Sequence, residues 1–79
     1  MAVLRLFAQA RVAAGTSAVD CPSTSVGEVL DWARTTLGPG FAEVLDHSAV
    51  WLNGQPADPD TAVGDGDEVA VLPPVSGGT

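Results

Sequence analysis

Ser25-Val26-Gly27-Glu28-Val29-Leu30-Asp31-Trp32-Ala33-Arg34-Thr35-Thr36-Leu37 is the stretch on which the fold turns. Ser25 and Glu28 stand at the Ser-x-x-Glu spacing of a capping box, in which the serine side chain accepts from an orphan helix amide and the glutamate reaches back to another. Val26, Val29, Leu30, Ala33 and Leu37 then recur at i, i+3, i+4, i+7 and i+11, the pattern of one buried helical face. Gly38 with Pro39 after it supplies a stop. Trp32 lies off the centre of the stripe and is expected to flank the packing. One amphipathic helix of this length needs a sheet to cover its apolar side.

The flanking sequence supplies that sheet. Val3, Leu4, Leu6, Phe7 and Ala8, interrupted by Arg5, read as a central strand. Ser17-Ala18-Val19-Asp20-Cys21, closed by Pro22, reads as a second strand, joined to the first as a hairpin by a loop around Arg11 to Thr16. Beyond the helix, Phe41-Ala42-Glu43-Val44-Leu45-Asp46 suggests a short helical turn leading to His47, a loop residue. Ala49-Val50-Trp51-Leu52, then Asn53-Gly54, then Gln55-Pro56-Ala57 is a hairpin signal, because Asn-Gly satisfies the positive φ angles of a type I′ turn. Gly64-Asp65-Gly66-Asp67 is a second turn and lacks the spaced ligands of a calcium loop. Glu68-Val69-Ala70-Val71-Leu72 is the last strand, stopped by Pro73, which removes a ladder donor. Two hairpin-like halves around one main helix give an α+β layer structure, a mixed sheet with the helix on one face. The β-grasp is the arrangement this order suggests, with residues 1–74 as the domain and 75–79 as a flexible Gly-Gly tail.

Size and charge narrow the function. Seventy-nine residues make one domain, and a chain this short buries only about 60% of its unfolded surface, which disfavours a deep private catalytic cavity. The net charge of −7, with Arg5, Arg11 and Arg34 as the only basic side chains besides His47, argues against nucleic acid. A basic protein partner fits better. Cys21 is the single cysteine, so no intrachain disulfide, four-cysteine zinc site or cysteine-ligated iron–sulfur cluster can be built from this chain. No metal site is expected, and Cys21 is expected as a small, partly buried apolar residue. No apolar run approaches a membrane span and no secretory signal opens the chain, so a cytoplasmic location with no membrane partner is expected. The absence of lysine fits a compositional bias towards Arg, Ala, Gly, Val and Asp.

The end of the chain carries the chemistry. Val71-Leu72-Pro73-Pro74-Val75-Ser76-Gly77-Gly78-Thr79 joins a stiff apolar stretch to two glycines. Each proline ring fixes φ and pushes the preceding residue towards an extended conformation, whereas glycine lacks the Cβ that would block a narrow channel. The result is a rigid stalk with a threadable tip. A frayed terminus is the plainer account of Ser76 to Thr79, and the coupling to Leu-Pro-Pro-Val-Ser favours the functional one.

These residues resemble the ubiquitin-like sulfur carriers of the MoaD and ThiS type, within the β-grasp fold. The similarity rests on Leu6-Phe7-Ala8-Gln9 with Arg11, on Val50-Trp51-Leu52-Asn53-Gly54, on Asp65-Gly66-Asp67-Glu68-Val69, and above all on Leu72 to Gly78. The last is similar to the end of the small subunit of molybdopterin synthase. The resemblance implies that an E1-like adenylating enzyme uses ATP to activate the carboxylate of Gly78, after which sulfur replaces the adenylate to leave a thiocarboxylate. It implies no stably bound cofactor and no autonomous enzyme activity. Expected partners are that adenylating enzyme, a molybdopterin synthase large subunit or another sulfur-accepting enzyme, and a sulfur donor such as a cysteine desulfurase or rhodanese.

Residue by residue, Gly78 would carry the thiocarboxylate, while Gly77, Ser76, Val75, Pro74 and Pro73 would thread the partner's channel. Phe7 and Leu72 would belong to an apolar docking patch on the sheet, with core packing an equal account of Phe7. Arg11 would lie near the partner surface, a surface salt bridge being an equally simple account. Thr79 departs from the family pattern, because it locks the Gly78 carbonyl in a peptide bond. A peptidase that removes Thr79 is therefore expected. Other pathways served by such carriers (thiamine, cysteine, tRNA, secondary metabolites), a protein modifier joined through Gly78, and a plain interaction module remain as alternatives.

Overall fold

The structure, a computed structural model, describes residues 1–73. Eight elements follow in order: β1 (Ala2–Leu6), α1 (Ala8–Ala14), β2 (Ala18–Cys21), α2 (Val26–Leu37), α3 (Pro39–Asp46), β3 (Ala49–Leu52), β4 (Gln55–Pro56) and β5 (Glu68–Leu72). The strands form one sheet in the order β2-β1-β5-β3-β4. β1 and β5 pair in parallel at the centre, with Leu4 opposite Val69 and Leu6 opposite Val71, and every other pairing is antiparallel. This is the β-grasp arrangement.

Alternation along the strands divides the sheet into two faces. Ala2, Leu4 and Leu6 of β1, Cys21 of β2 and Val69 and Val71 of β5 are buried on one face. They meet Val26, Val29 and Ala33 of α2 and Phe41 and Leu45 of α3 in a single core. Each fully buried Val, Leu or Phe contributes roughly 1.5–3 kcal/mol relative to exposure, so this layer is the main source of stability. Leu30, Trp32 and Leu37 are half-buried at its margin, the flanking position expected of Trp32.

α2 begins with Ser25 as its N-cap, as the sequence motif predicts, but the glutamate's return bond reaches Thr24, one residue before the cap. Ser25 Oγ accepts from the Glu28 N–H at 3.2 Å, and Glu28 Oε1 accepts from both the N–H and the hydroxyl of Thr24, at 2.8 and 2.6 Å. Those bonds to Thr24 hold the Glu28 carboxyl below its ordinary range. The loop before β5 closes over the same helix end, where Val26 N–H donates to Thr61 O and Gly27 N–H to Pro59 O. The β3–β4 turn has positive φ at both Asn53 (50°) and Gly54 (85°), as a type I′ turn demands.

The structure corrects the sequence reading at two connections. β1 stops at Leu6, and the expected loop around Arg11 to Thr16 is largely the seven-residue helix α1. Phe7 is its N-cap with extended backbone but without a side-chain cap, and Ala8 turns the chain with φ 51°. Ala10 is fully buried and Ala14 packs against the core, so tertiary contact holds this helix. The short turn expected at Phe41 to Asp46 is an eight-residue helix that starts with Pro39 and shares Gly38 (φ 93°) with the end of α2. Cys21, expected to be partly buried, is 0% exposed.

Candidate functional site: the open sheet face and the root of the tail

Among the described residues, the three helices all pack into the core on the first face, and none covers the second. By cross-strand register, Arg5 stands in one row with Ala18, Ala70 and Trp51, and Leu72 stands beside Ala49 in the next row. Phe7 continues β1 by one extended residue, which places it level with Leu72. It is 44% exposed and lies outside the core cluster. The expected pair Phe7 and Leu72 thus share the outward face at the end where β5 hands the chain to Pro73.

Pro73 itself is half-buried and forms one wall of a cleft of about 360 Å³. Gln9 of α1, Gly40, Glu43 and Val44 of α3, and His47 line the rest. This cleft is not legible along the chain, because Gln9 and Glu43 become neighbours only when α1, itself unanticipated, packs on α3. Arg11 is exposed one helical turn beyond Phe7, and among the described residues no ion pair involves it. Pro74, Val75, Ser76, Gly77, Gly78 and Thr79 lie outside the described residues, as does the boundary drawn between 74 and 75.

Electrostatics on the open face centre on Arg5, whose Nε donates to Glu68 Oε1 at 2.8 Å across the β1–β5 junction. Beside it, Asn53 straps the β3–β4 turn to the start of β5. Its carbonyl oxygen accepts from Glu68 N–H at 2.9 Å and its amide donates to Asp67 Oδ1 at 3.1 Å. The Gly64 N–H on Asp67 Oδ2, reinforced by the Asn53 amide, holds the Asp67 carboxyl below its ordinary range. Asp65 is likewise lowered, by the N-terminal ammonium that bonds it. Burial pushes the Cys21 thiol up. Among the described residues, no three His, Cys, Asp or Glu side chains gather as metal ligands, and no helix is long and apolar enough to cross a membrane.

An outward apolar face beside a carboxyl-terminal extension can dock a partner and aim the extension at it. A family model described as the ThiS family matches residues 4–78. The chain belongs to the ThiS family. The match takes in Gly77 and Gly78. Among solved structures, this ThiS-family chain is similar to SAMP1 from Haloferax volcanii, with 35% identity, 98% of each chain covered and a TM-score of 0.78. It is similar to a chain in the complex of subunits 1 and 2 of molybdopterin-converting factor from Helicobacter pylori, with 26% identity, 98% of this chain and 97% of that one covered, and a TM-score of 0.75. A chain of the BexX/CysO complex from Amycolatopsis orientalis shares the fold at 20% identity, with 99% and 100% covered and a TM-score of 0.81. This ThiS-family chain therefore has the ubiquitin-like fold of small sulfur carriers and modifiers, whose members work with partner enzymes.

Proposed function

We propose that this chain is a sulfur carrier that works through Gly78. The observation that carries the reading is the family match, which runs through the whole domain and includes the diglycine. Cleavage after Gly78 releases Thr79 and exposes a glycine carboxylate. An adenylating enzyme joins that carboxylate to the α-phosphate of ATP, and pyrophosphate leaves. A carboxylate resists nucleophiles because of its charge; the acyl-adenylate removes that charge and supplies a leaving group. Hydrosulfide, delivered by a sulfur donor, then displaces AMP and leaves a thiocarboxylate on Gly78.

On this reading the chain contributes the sulfur and its partner contributes most of the catalytic side chains. Gly77, Ser76, Val75, Pro74 and Pro73 thread the partner's channel, while Phe7 and Leu72 seat the sheet face on it. Arg11 lies at the rim of that contact. The favoured acceptor is a molybdopterin synthase large subunit, supported by Pro73-Pro74 before the diglycine and by the likeness to molybdopterin-converting factor. The setting is cytoplasmic, where ATP and the donor are available.

Reconstitution tests this directly. Chains ending at Gly78 and at Thr79 are incubated with the adenylating enzyme, ATP, a sulfide donor and the large subunit. Only the chain ending at Gly78 is expected to gain the mass of one sulfur in place of one oxygen and to support dithiolene formation. Sulfur on Thr79, or no thiocarboxylate on either folded chain, refutes the reading.

A second reading, a protein modifier joined to target amines through Gly78, is favoured by the 33% identity to a protein named small archaeal modifier protein 1 from Haloferax volcanii. Conjugates that survive reducing denaturation in the same reaction, with cell extract added, would select it.

A further inference from the structure

The sequence holds no lysine, and its basic side chains are Arg5, Arg11, Arg34 and His47. Whatever set that composition, it has a chemical consequence once Gly78 is activated. Self-acylation would form a C–N bond at the Gly78 carbonyl carbon, break the C–O bond to AMP and release one proton. A lysine within the tail's reach would offer its amine at roughly millimolar effective concentration.

The folded chain withholds its other side-chain nucleophiles. Guanidinium groups are not deprotonated in proteins. Cys21 is 0% exposed, and burial pushes its thiol up, away from the reactive thiolate. Hydroxyls need a neighbouring base. His47, the single imidazole, lines a cleft with Gln9, Gly40, Glu43, Val44 and Pro73, among which there is no serine or threonine. An acyl group taken by the imidazole itself passes to water and leaves no lasting link.

The amine of Met1 remains, and the topology sets it apart. β1 and β5 run parallel, with Val3 level with Glu68 and Leu6 with Val71, so the tail leaves the sheet at the end away from Met1. Met1 stands before Phe7 by about 20 Å of strand at the usual rise per residue. The segment from Pro74 to Gly78 spans at most about 18 Å when fully extended. Gly66 N–H donates to the Met1 carbonyl at 3.2 Å and the Met1 ammonium bonds Asp65, which together hold the amine at that far end. A second copy must bring its amine against a net charge of −7 on each chain, which opposes their meeting.

We propose that this chain is inert towards its own activated Gly78: it acylates neither itself nor a second copy, so the activated end is kept for an outside nucleophile and any conjugation adds single units. The inference rests on the proposed function, through the adenylation that the carrier and modifier readings share.

The test incubates the chain ending at Gly78, at high concentration, with the adenylating enzyme and ATP but without sulfide. Hydroxylamine in a parallel sample traps activated Gly78 as the hydroxamate and reports how much forms. Val12→Lys on α1 and Thr35→Lys on α2 place an amine at exposed positions, and melting temperatures close to the parent show that both fold. Intact mass and denaturing gels are expected to show the parent unlinked. The variants are expected to show internal or copy-to-copy amides at about tenfold the parent level or more, mapped by peptide sequencing to position 12 or 35. Linked parent chains, or an acylated Met1 amine, at the level of the variants would overturn the inference and leave the carrier role standing. Variants as unlinked as the parent, while hydroxylamine is acylated, would overturn it equally. If hydroxylamine captures nothing from the folded parent, Gly78 is not activated, the carrier role fails and the inference falls with it.

Discussion

The carbonyl oxygen of Pro59 lies 3.1 Å from the point where a Cβ on Gly27 would stand, with the Pro59 Cβ at 3.5 Å. The same oxygen accepts the Gly27 N–H at 2.8 Å. Alanine is the better helix former by up to about 1 kcal/mol in a helix interior, less in a first turn. The obstacle is backbone, however, and its loop is pinned by Val26 to Thr61 and by Val63 to Thr24. Steric cost should win. Gly27→Ala is expected to destabilise the fold by about 1 kcal/mol, within the ordinary range for single substitutions. Urea unfolding followed by tryptophan fluorescence checks it, and a rise in the midpoint would show that the loop gives way freely.

The capping motif, the Asn53-Gly54 turn and β1 and β5 as separate strands were legible because each depends on neighbours in sequence or on alternation, whereas the parallel pairing of β1 with β5 joins residues more than sixty positions apart and was not. α1 was not. Its start has Phe7 where a capping Ser, Thr, Asp or Asn would announce a helix, and only Ala10 is fully buried. Phe7 and Leu72 could be paired from resemblance, but their common face follows from the register of β1 on β5. Arg5 showed only as an interruption in an apolar strand. Its partner Glu68 lies 63 residues away and becomes visible when the two central strands pair. The cleft of Gln9, Glu43, His47 and Pro73 is wholly tertiary.

Asp67 gives an acid-sensitive contribution to stability. Its folded pKa is lowered from 3.8 by the Gly64 N–H and Asn53, and that of Glu28 is lowered from 4.5 by Thr24. A depressed carboxyl stabilises the fold fully above its unfolded pKa, and this stabilisation is lost as pH falls through the folded value. Melting temperature should therefore hold above about pH 5 and decline through and below the ordinary carboxylate range near pH 4. Asp67→Asn should soften that decline while lowering stability at pH 7. An unchanged acid limb in the variant would show that other carboxylates control it.

Phe7 should separate docking from folding. Because the ring is 44% exposed and outside the core, Phe7→Ala is expected to cost about 1 kcal/mol of stability or less. Aromatic side chains are common interface anchors, so affinity for the partner enzyme should fall by about tenfold or more. Calorimetry and thermal melts on the same sample measure both. A large loss of stability with unchanged affinity would return Phe7 to a packing role.

Cys21 lies opposite Ala2 at the β1–β2 pairing and is 0% exposed, with its thiol pKa raised mainly by burial. Both effects suppress the reactive thiolate, one by blocking access and the other by lowering its population. Alkylation must then wait for opening of the sheet, whose free energy lies between local fraying and global unfolding. Iodoacetamide at pH 8 should modify the native chain at least about 100-fold more slowly than the urea-unfolded chain, given a usual global stability of 5 kcal/mol or more. The modification rate should rise with urea in step with unfolding. Rapid labelling of the native chain would show that β2 opens independently of the core, and Cys21→Ser, which buries a hydroxyl in the same place, should then cost far less than the roughly 1–3 kcal/mol expected of a closed site.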